Sequence, residues 1–349
     1  ITCRDWSSDV CSSDLNYNGN TMELASIIKE LEDSHFIKKS PAETEKEILK
    51  LGPETYVTTS IKKDEDITSD INKMVSENYK SIKVSVSMLN NFFECPRKWY
   101  FRNFLKLPEV KPVHLVFGTV VHSMIEYILK NKYKVNEIPK EDDLKKMIEQ
   151  KFIEEGILDG NNLRKIGREV YHILKNWINN YYKNLHPEFK SERSVTYVDK
   201  KNFPHLTMYG KIDLTEYLPG GEVYVTDFKT GSSKTTGAIE KIDDEGRMSD
   251  LMRQLAMYSY LLLGDSSEIK VTNSKLLFLE SELSDKNAFY QTRITEEQID
   301  LLKRDIKEYD ESLSNSTWIE RECHFKPYSS NSRECEYCKM WNNISAFEK

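Results

Sequence analysis

The spacing of hydrophobic positions changes near residue 190, and the change separates a helical stretch from a strand-rich one. Met88, Leu89, Phe92 and Phe93, followed by Trp99, Tyr100, Phe101 and Phe104, repeat at helical intervals. They predict two helical pieces broken near Pro96, whose ring removes a backbone donor. Residues 116–129, 140–155 and 163–185 carry the same period. Beyond them, 194–198, 207–217, 222–229, 274–279 and 288–294 are short runs rich in Val, Tyr, Thr and Leu, bounded by turn residues, and read as strands. An amphipathic helix at 247–263 separates the third run from the fourth. Helices, three strands, a helix, then strands predict an α/β fold, a mixed sheet flanked by helices with a helical N-terminal extension.

Upstream, residues 16–80 are rich in Lys, Asp and Glu, with one short apolar periodic piece at Leu24, Ile27, Ile28 and Leu31. They read as a charged linker bearing one helix. The stretch DWSSDVCSSDL at 5–15 looks like a translated sequencing adapter, so 1–15 are expected to be an artefact of a truncated gene. The formal charge of −7 lies mostly in these two segments, so the expected domain, 81–349, is close to neutral and any grip on a polyanion must come from local basic patches. No apolar run reaches the roughly 18 residues of a membrane span and no secretory signal is evident, so a cytoplasmic protein without a membrane partner is expected.

The turn Leu218-Pro219-Gly220-Gly221 joins two strand patterns. In an antiparallel hairpin opposed residues keep a constant index sum, and centring the turn on Gly220 places Asp213 opposite Asp227. Two carboxylates roughly 5 Å apart repel unless a cation lies between them, and hard oxygen ligands suit Mg²⁺ or Mn²⁺. Lys229, two residues beyond Asp227, shares its face and could stand beside the metal; Lys211 falls opposite Lys229 and is the other candidate. A one-residue slip would separate the aspartates and leave a solvated hairpin.

Gly118-Thr-Val-Val-His122, Glu192, Gly210-Lys-Ile-Asp213, Asp227-Phe-Lys229-Thr230 and Gln254-x-x-x-Tyr258 together resemble, in order, the nuclease domain of the RecB type within the PD-(D/E)xK superfamily. Phe93-Glu-Cys95-Pro96-Arg97-Lys-Trp-Tyr-Phe101 extends the resemblance, which runs from Ser85 to about the last residue. It implies a restriction-endonuclease-like core in which Asp213, Asp227, His122 and the Phe228 carbonyl hold Mg²⁺ or Mn²⁺ and Lys229 is catalytic. Glu192 then assists the metal or the water, and Gln254 and Tyr258, one helical turn apart, position DNA and the active site. The implied activity is metal-dependent, exonuclease-like hydrolysis of DNA in double-strand-break processing and recombinational repair. A catalytically degenerate module that only binds single strands is the alternative.

Arg97, Lys98, Trp99, Tyr100, Arg102 and Lys106 interleave cations with aromatics. They suit a groove for single-stranded DNA and equally a helix with its aromatics inward, and both are expected. Many relatives of this type hold a 4Fe-4S cluster with one cysteine in the first helical motif and three near the C-terminus. Cys95 and the pair Cys335 and Cys338 match; the last cysteine is missing, with Ser345 near its place, and Cys323 is the spare thiol. Four thiolates suit an Fe–S cluster and equally Zn²⁺, and an empty, decayed site remains a third reading. Glu23-Leu-Ala-Ser-Ile-Ile-Lys-Glu-Leu31 resembles the piece after the last motif of UvrD-type helicases. With no GxxxxGK[ST] loop in the chain, a helicase motor is expected only in a longer chain or a partner subunit.

Overall fold

The computed structural model describes residues 16–17, 20–21, 67–109, 111–157, 160–265, 269–281, 285–325 and 335–346. Backbone contacts divide the chain into Ile1–Asp66 and Ile67–Lys349. In the first unit Asn16–Tyr17 pairs antiparallel with Asn20–Thr21. The adapter-like residues 1–15 and the helix expected around Leu24 to Leu31 lie outside the described residues.

The second unit begins with helix α1 (Ile67–Asn78), ahead of the boundary expected at residue 81. Val75 and Tyr79 are fully buried, and the Tyr79 hydroxyl donates to Asp310 at 2.6 Å. Charged neighbours had hidden the narrow apolar stripe. Helix α2 (Val86–Glu94) starts at Ser85, whose Oγ accepts from the Met88 amide, and α3 (Pro96–Trp99) follows with proline in its first turn. Next come α4 (Val113–Asn131), α5 (Glu141–Glu154) and α6 (Gly160–Asn180). The five strands are β1 (Phe189–Tyr197), β2 (Met208–Tyr217), β3 (Glu222–Lys229), β4 (Lys270–Phe278) and β5 (Phe289–Thr292). Helix α7 (Asp250–Asp265) crosses over between β3 and β4, and α8 (Glu296–Ser314) and α9 (Glu336–Ala346) close the chain.

The sheet order is β1-β2-β3-β4-β5, with β3 and β4 parallel and the other neighbours antiparallel. This is the mixed α/β sheet expected from the sequence. One face packs against α2, α7 and α8 through Val223, Val225, Leu255, Leu261, Leu276 and Ile306. The other packs against α4, α5 and α6 through Val120, Ile148, Leu174, Leu214, Phe228 and Leu277. Central strand β3 is thus apolar toward both layers, as a parallel neighbour in a covered sheet requires. Strand β1 starts five residues before its expected beginning at Ser194; its charged first half belongs to an edge strand, where charge is tolerated and discourages pairing with other chains.

Candidate active site

The β2–β3 hairpin keeps the predicted register: Tyr217 pairs with Val223, Glu216 with Tyr224, Thr215 with Val225 and Leu214 with Thr226. Gly220 and Gly221 make the turn with φ of 81° and 77°, a region open to glycine at little cost. One step further, where Asp213 would meet Asp227, the backbone ladder ends. The β1–β2 ladder also skips this level, pairing Ser191 with Leu214 and Arg193 with Ile212 around Glu192, whose φ is +51°. Ile212 and Leu214, two apart on one strand, join opposite cores, so β2 twists sharply between them. The Asp213 side chain fills the gap left by the ladder: its Oδ2 accepts the Phe228 amide N–H at 2.7 Å. The sheet is therefore forked at Asp213, and side chains from both helical layers reach the fork.

From the α4 layer comes His122, whose Nδ1 lies 3.6 Å from Asp213 Oδ2. Gly118, one turn earlier, lets α4 sit close to the end of β3, since a Cβ there would meet Thr230 Oγ1 at 2.7 Å. Ligand atoms of His122, Glu192 and Asp213 lie within 4.8 Å of one another. From the α7 layer come Gln254 and Tyr258. The Gln254 Nε2 donates to Asp227 Oδ1 at 2.7 Å, its Oε1 accepts from Lys229 Nζ at 2.5 Å, and the Tyr258 hydroxyl donates to the same Asp227 oxygen at 3.0 Å. Because a carboxylate only accepts and an ammonium only donates, the amide orientation is fixed. Lys229 Nζ also forms an ion pair with the buried Asp227 Oδ2 at 2.8 Å.

The Lys229 carbonyl accepts from the Leu279 amide on the β4 side at 2.8 Å. Successive residues turn their peptide groups to opposite edges, so Phe228 faces β2, where its N–H meets Asp213 and its carbonyl faces the same gap. Asp227 itself stands outside the triplet of His122, Glu192 and Asp213, held instead by Lys229, Gln254 and Tyr258. Lys211, the alternative lysine, is tied to Glu192.

Burial pushes the Asp227 carboxyl up; Asp213 adds to the shift, while Lys229 and His122 oppose it. Burial likewise raises Glu192, against the pull of Lys211. For His122 burial works downward, and Asp213, Asp227 and Glu192 outweigh it, so the imidazole holds its proton more tightly than usual. Glu192, Asp213 and the buried Asp227 bring carboxylate oxygens together beside His122, a donor set that fits a hard divalent cation.

The segment at Arg97 to Lys106 is placed differently. Trp99 and Tyr100 are buried in an aromatic core with Tyr309, Trp318 and Trp341, so they are not available to stack on bases. Arg97 donates to the Arg321 and Ile319 carbonyls, Lys98 pairs with Glu94 and Arg102 with Glu109, leaving Lys106 exposed. Of the two expectations, the inward packing of the aromatics is the one seen. Other basic residues gather at a cleft of about 280 Å³, where Lys130 and Lys132 at the end of α4 meet Phe189, Lys190 and Arg193, the last two lying on either side of Glu192 along β1. The lysine-rich run after residue 129 was the available sequence signal, but nothing in it showed that β1 begins early enough to complete the cleft.

A forked mixed sheet with carboxylates, a lysine and a helix-borne histidine at the fork defines the core of a phosphodiester-cleaving nuclease. The chain belongs to the PD-(D/E)XK nuclease superfamily, whose family model matches residues 83–342. Among solved structures, a "Putative exonuclease" from Eubacterium rectale is 13% identical, covering 76% of this chain and 90% of that one, with a TM-score of 0.48. SSO0001 is 14% identical, covering 70% and 87%, with a TM-score of 0.26. No curated protein sequence matches. Among the described residues no helix is long and apolar enough to cross a membrane.

Proposed function

We propose that the protein is a metal-dependent, exonuclease-like deoxyribonuclease whose centre is the fork of the sheet. The observation that carries this reading is the meeting of His122, Glu192 and Asp213 with the Asp227–Lys229–Gln254–Tyr258 network across one broken ladder. His122, Glu192, Asp213, Asp227 and the Phe228 carbonyl would hold Mg²⁺ or Mn²⁺, which when bound lowers the pKa of a water and offsets charge on the phosphate. Gln254 fixes the Asp227 carboxylate and the Lys229 ammonium relative to each other, so neither has to reorganise as charge builds. Lys229 presents its remaining N–H groups toward the phosphate or the attacking water. Tyr258 and the buried α7 face exclude bulk water behind Asp227.

The DNA strand is best accommodated along the cleft of Lys130, Lys132, Lys190 and Arg193, adjoining Glu192. Lys132 stands over the Phe189 ring and Lys190 and Arg193 over Tyr217, contacts that orient the cations, while Lys130 is paired with Glu126. The resemblance extends this role to double-strand-break processing and recombinational repair in the cytoplasm, as the nuclease part of a helicase-nuclease.

Degradation of end-labelled single-stranded and duplex DNA by the full chain, with Mg²⁺, Mn²⁺ or EDTA, tests the reading. Asp227→Ala and Lys229→Ala should each lower the rate by on the order of 10³ or more while retaining DNA binding. Lys132→Ala with Lys190→Ala should raise KM with kcat unchanged and lower the salt slope of single-strand binding by about 1.4. Metal-independent cleavage, or cleavage that survives both hairpin substitutions, overturns it.

A further inference from the structure

A second cluster lies apart from the fork residues. Cys95 is both the C-cap of α2 and the N-cap of α3, Cys335 immediately precedes α9, and Cys338 follows one turn later on the same helix face. Cys323 is delivered by the segment after α8, which the His324 amide ties to the Glu94 carbonyl at 2.7 Å. The four sulfurs lie within 4.8 Å of one another, with Cys95 Sγ 3.7 Å from Cys338 Sγ and 3.8 Å from Cys335 Sγ. Cys95 and Cys335 are buried. These separations are too long for disulfide bonds, whose sulfurs stand about 2.05 Å apart.

The same separations choose between the two metal groups that four thiolates can hold. Four sulfurs at about 2.3 Å from one tetrahedral ion stand about 3.8 Å from each other. In a four-iron cubane each thiolate binds a different corner and points outward, so the thiolate sulfurs must stand roughly 6 Å apart. The observed spacing matches the single ion and leaves no room for a cubane among the four sulfurs. The ligand order differs too, since Cys323 precedes the Cys335–Cys338 pair and supplies the corner that the family pattern takes from a cysteine after it.

We propose that Cys95, Cys323, Cys335 and Cys338 form a structural site for one tetrahedral Zn²⁺ ion in place of an iron–sulfur cluster. Binding displaces the four thiol protons to solvent, and no electron transfer is involved. The ion clamps α9 and the Cys323 segment to the α2–α3 junction, in the layer that also carries Gln254 and Tyr258.

The test is the metal content of the full chain purified anaerobically, so that no cluster is lost to oxygen, read by elemental analysis, acid-labile sulfide and visible absorption. About one zinc per chain held by the cysteines, no labile sulfide and no broad iron–sulfur absorption are expected. Replacing that ion with Co²⁺ should give sulfur-to-cobalt charge-transfer bands and intense tetrahedral d–d bands. These report thiolate ligands and are unaffected by metal at the oxygen-rich fork, so Asp213→Ala should keep them and Cys323→Ser should weaken or shift them. About four irons with matching labile sulfide, failure to bind Zn²⁺ or Co²⁺ through thiolates, or a cobalt spectrum unchanged in Cys323→Ser would overturn the proposal.

Discussion

Gly118 shows how one residue sets the geometry of the site. Its missing side chain lets α4 lie against Thr230, directly after Lys229, and so places His122 over Asp213. Alanine at 118 would put a methyl carbon 2.7 Å from Thr230 Oγ1, so the Thr230 side chain must turn away or the helix and the end of β3 must separate. Because misplacements of about 1 Å can cost about a hundredfold in rate, Gly118→Ala should lower kcat about tenfold or more, with little loss of stability. Adding Thr230→Ala, which removes the clashing oxygen, should restore most of the activity. Steady-state kinetics of the single and double variants check this, and a double variant no better than Gly118→Ala would show that the contact is not the cause.

At the scale of elements, α7 is held at both ends of its packing. Near its start Arg253 donates to Asp305 on α8 at 2.8 Å and to Asn90 on α2 at 2.7 Å, both beside Gln254. Further along, the Tyr260 hydroxyl donates to Asp199 at 2.5 Å, joining α7 to the loop between β1 and β2. Burial would raise the Asp199 carboxyl, but Asn202, Tyr260 and the Asn202 and Lys201 amides more than offset it and hold its pKa at about 2, below the usual 3.8. A depressed folded-state pKa stabilises the fold above the unfolded value and ceases to do so as pH falls through the folded one. The contribution is about 2 kcal/mol above pH 5, declining between about pH 4 and pH 2. Asp199→Asn should therefore be destabilised by about that amount at pH 7, and the gap from the unsubstituted protein should narrow at acid pH, as urea unfolding at several pH values can show. A gap independent of pH would assign the loss to shape alone.

For the molecule as a whole, the C-terminal segment is secured in two ways. Trp341 of α9 packs edge-on against Tyr100 and Trp318, and Cys335 and Cys338 meet Cys95 at the α2–α3 junction. An ion at the cysteines would tie this segment to the layer behind the active site without touching the fork. Removing it with a thiol-compatible chelator should lower the melting temperature by roughly 10 °C, with recovery on adding back Zn²⁺ but not Mg²⁺. The oxygen ligands of the fork should show the opposite preference, restoring cleavage with Mg²⁺ or Mn²⁺ and little thermal gain. Differential scanning of the apo and reloaded protein separates the two sites.

Local physics made much of this legible in the sequence. The 3.6-residue period gave α2, α4, α5, α6 and α7, alternation and turn glycines gave the β2–β3 hairpin, and the constant index sum gave its register, because each depends on residues close together along the chain. What the sequence could not decide were arrangements made by residues far apart. The ladder breaks at Asp213 because Glu192, on another strand, adopts a left-handed backbone while helices from both layers press toward the gap. The aromatics at Trp99 and Tyr100 turn inward because Tyr309, Trp318 and Trp341 arrive from more than 200 residues later. The residue types at the two candidate metal sites are thus set by the chain, whereas the separation of their ligand atoms, which selects the ion, is set only when distant elements pack.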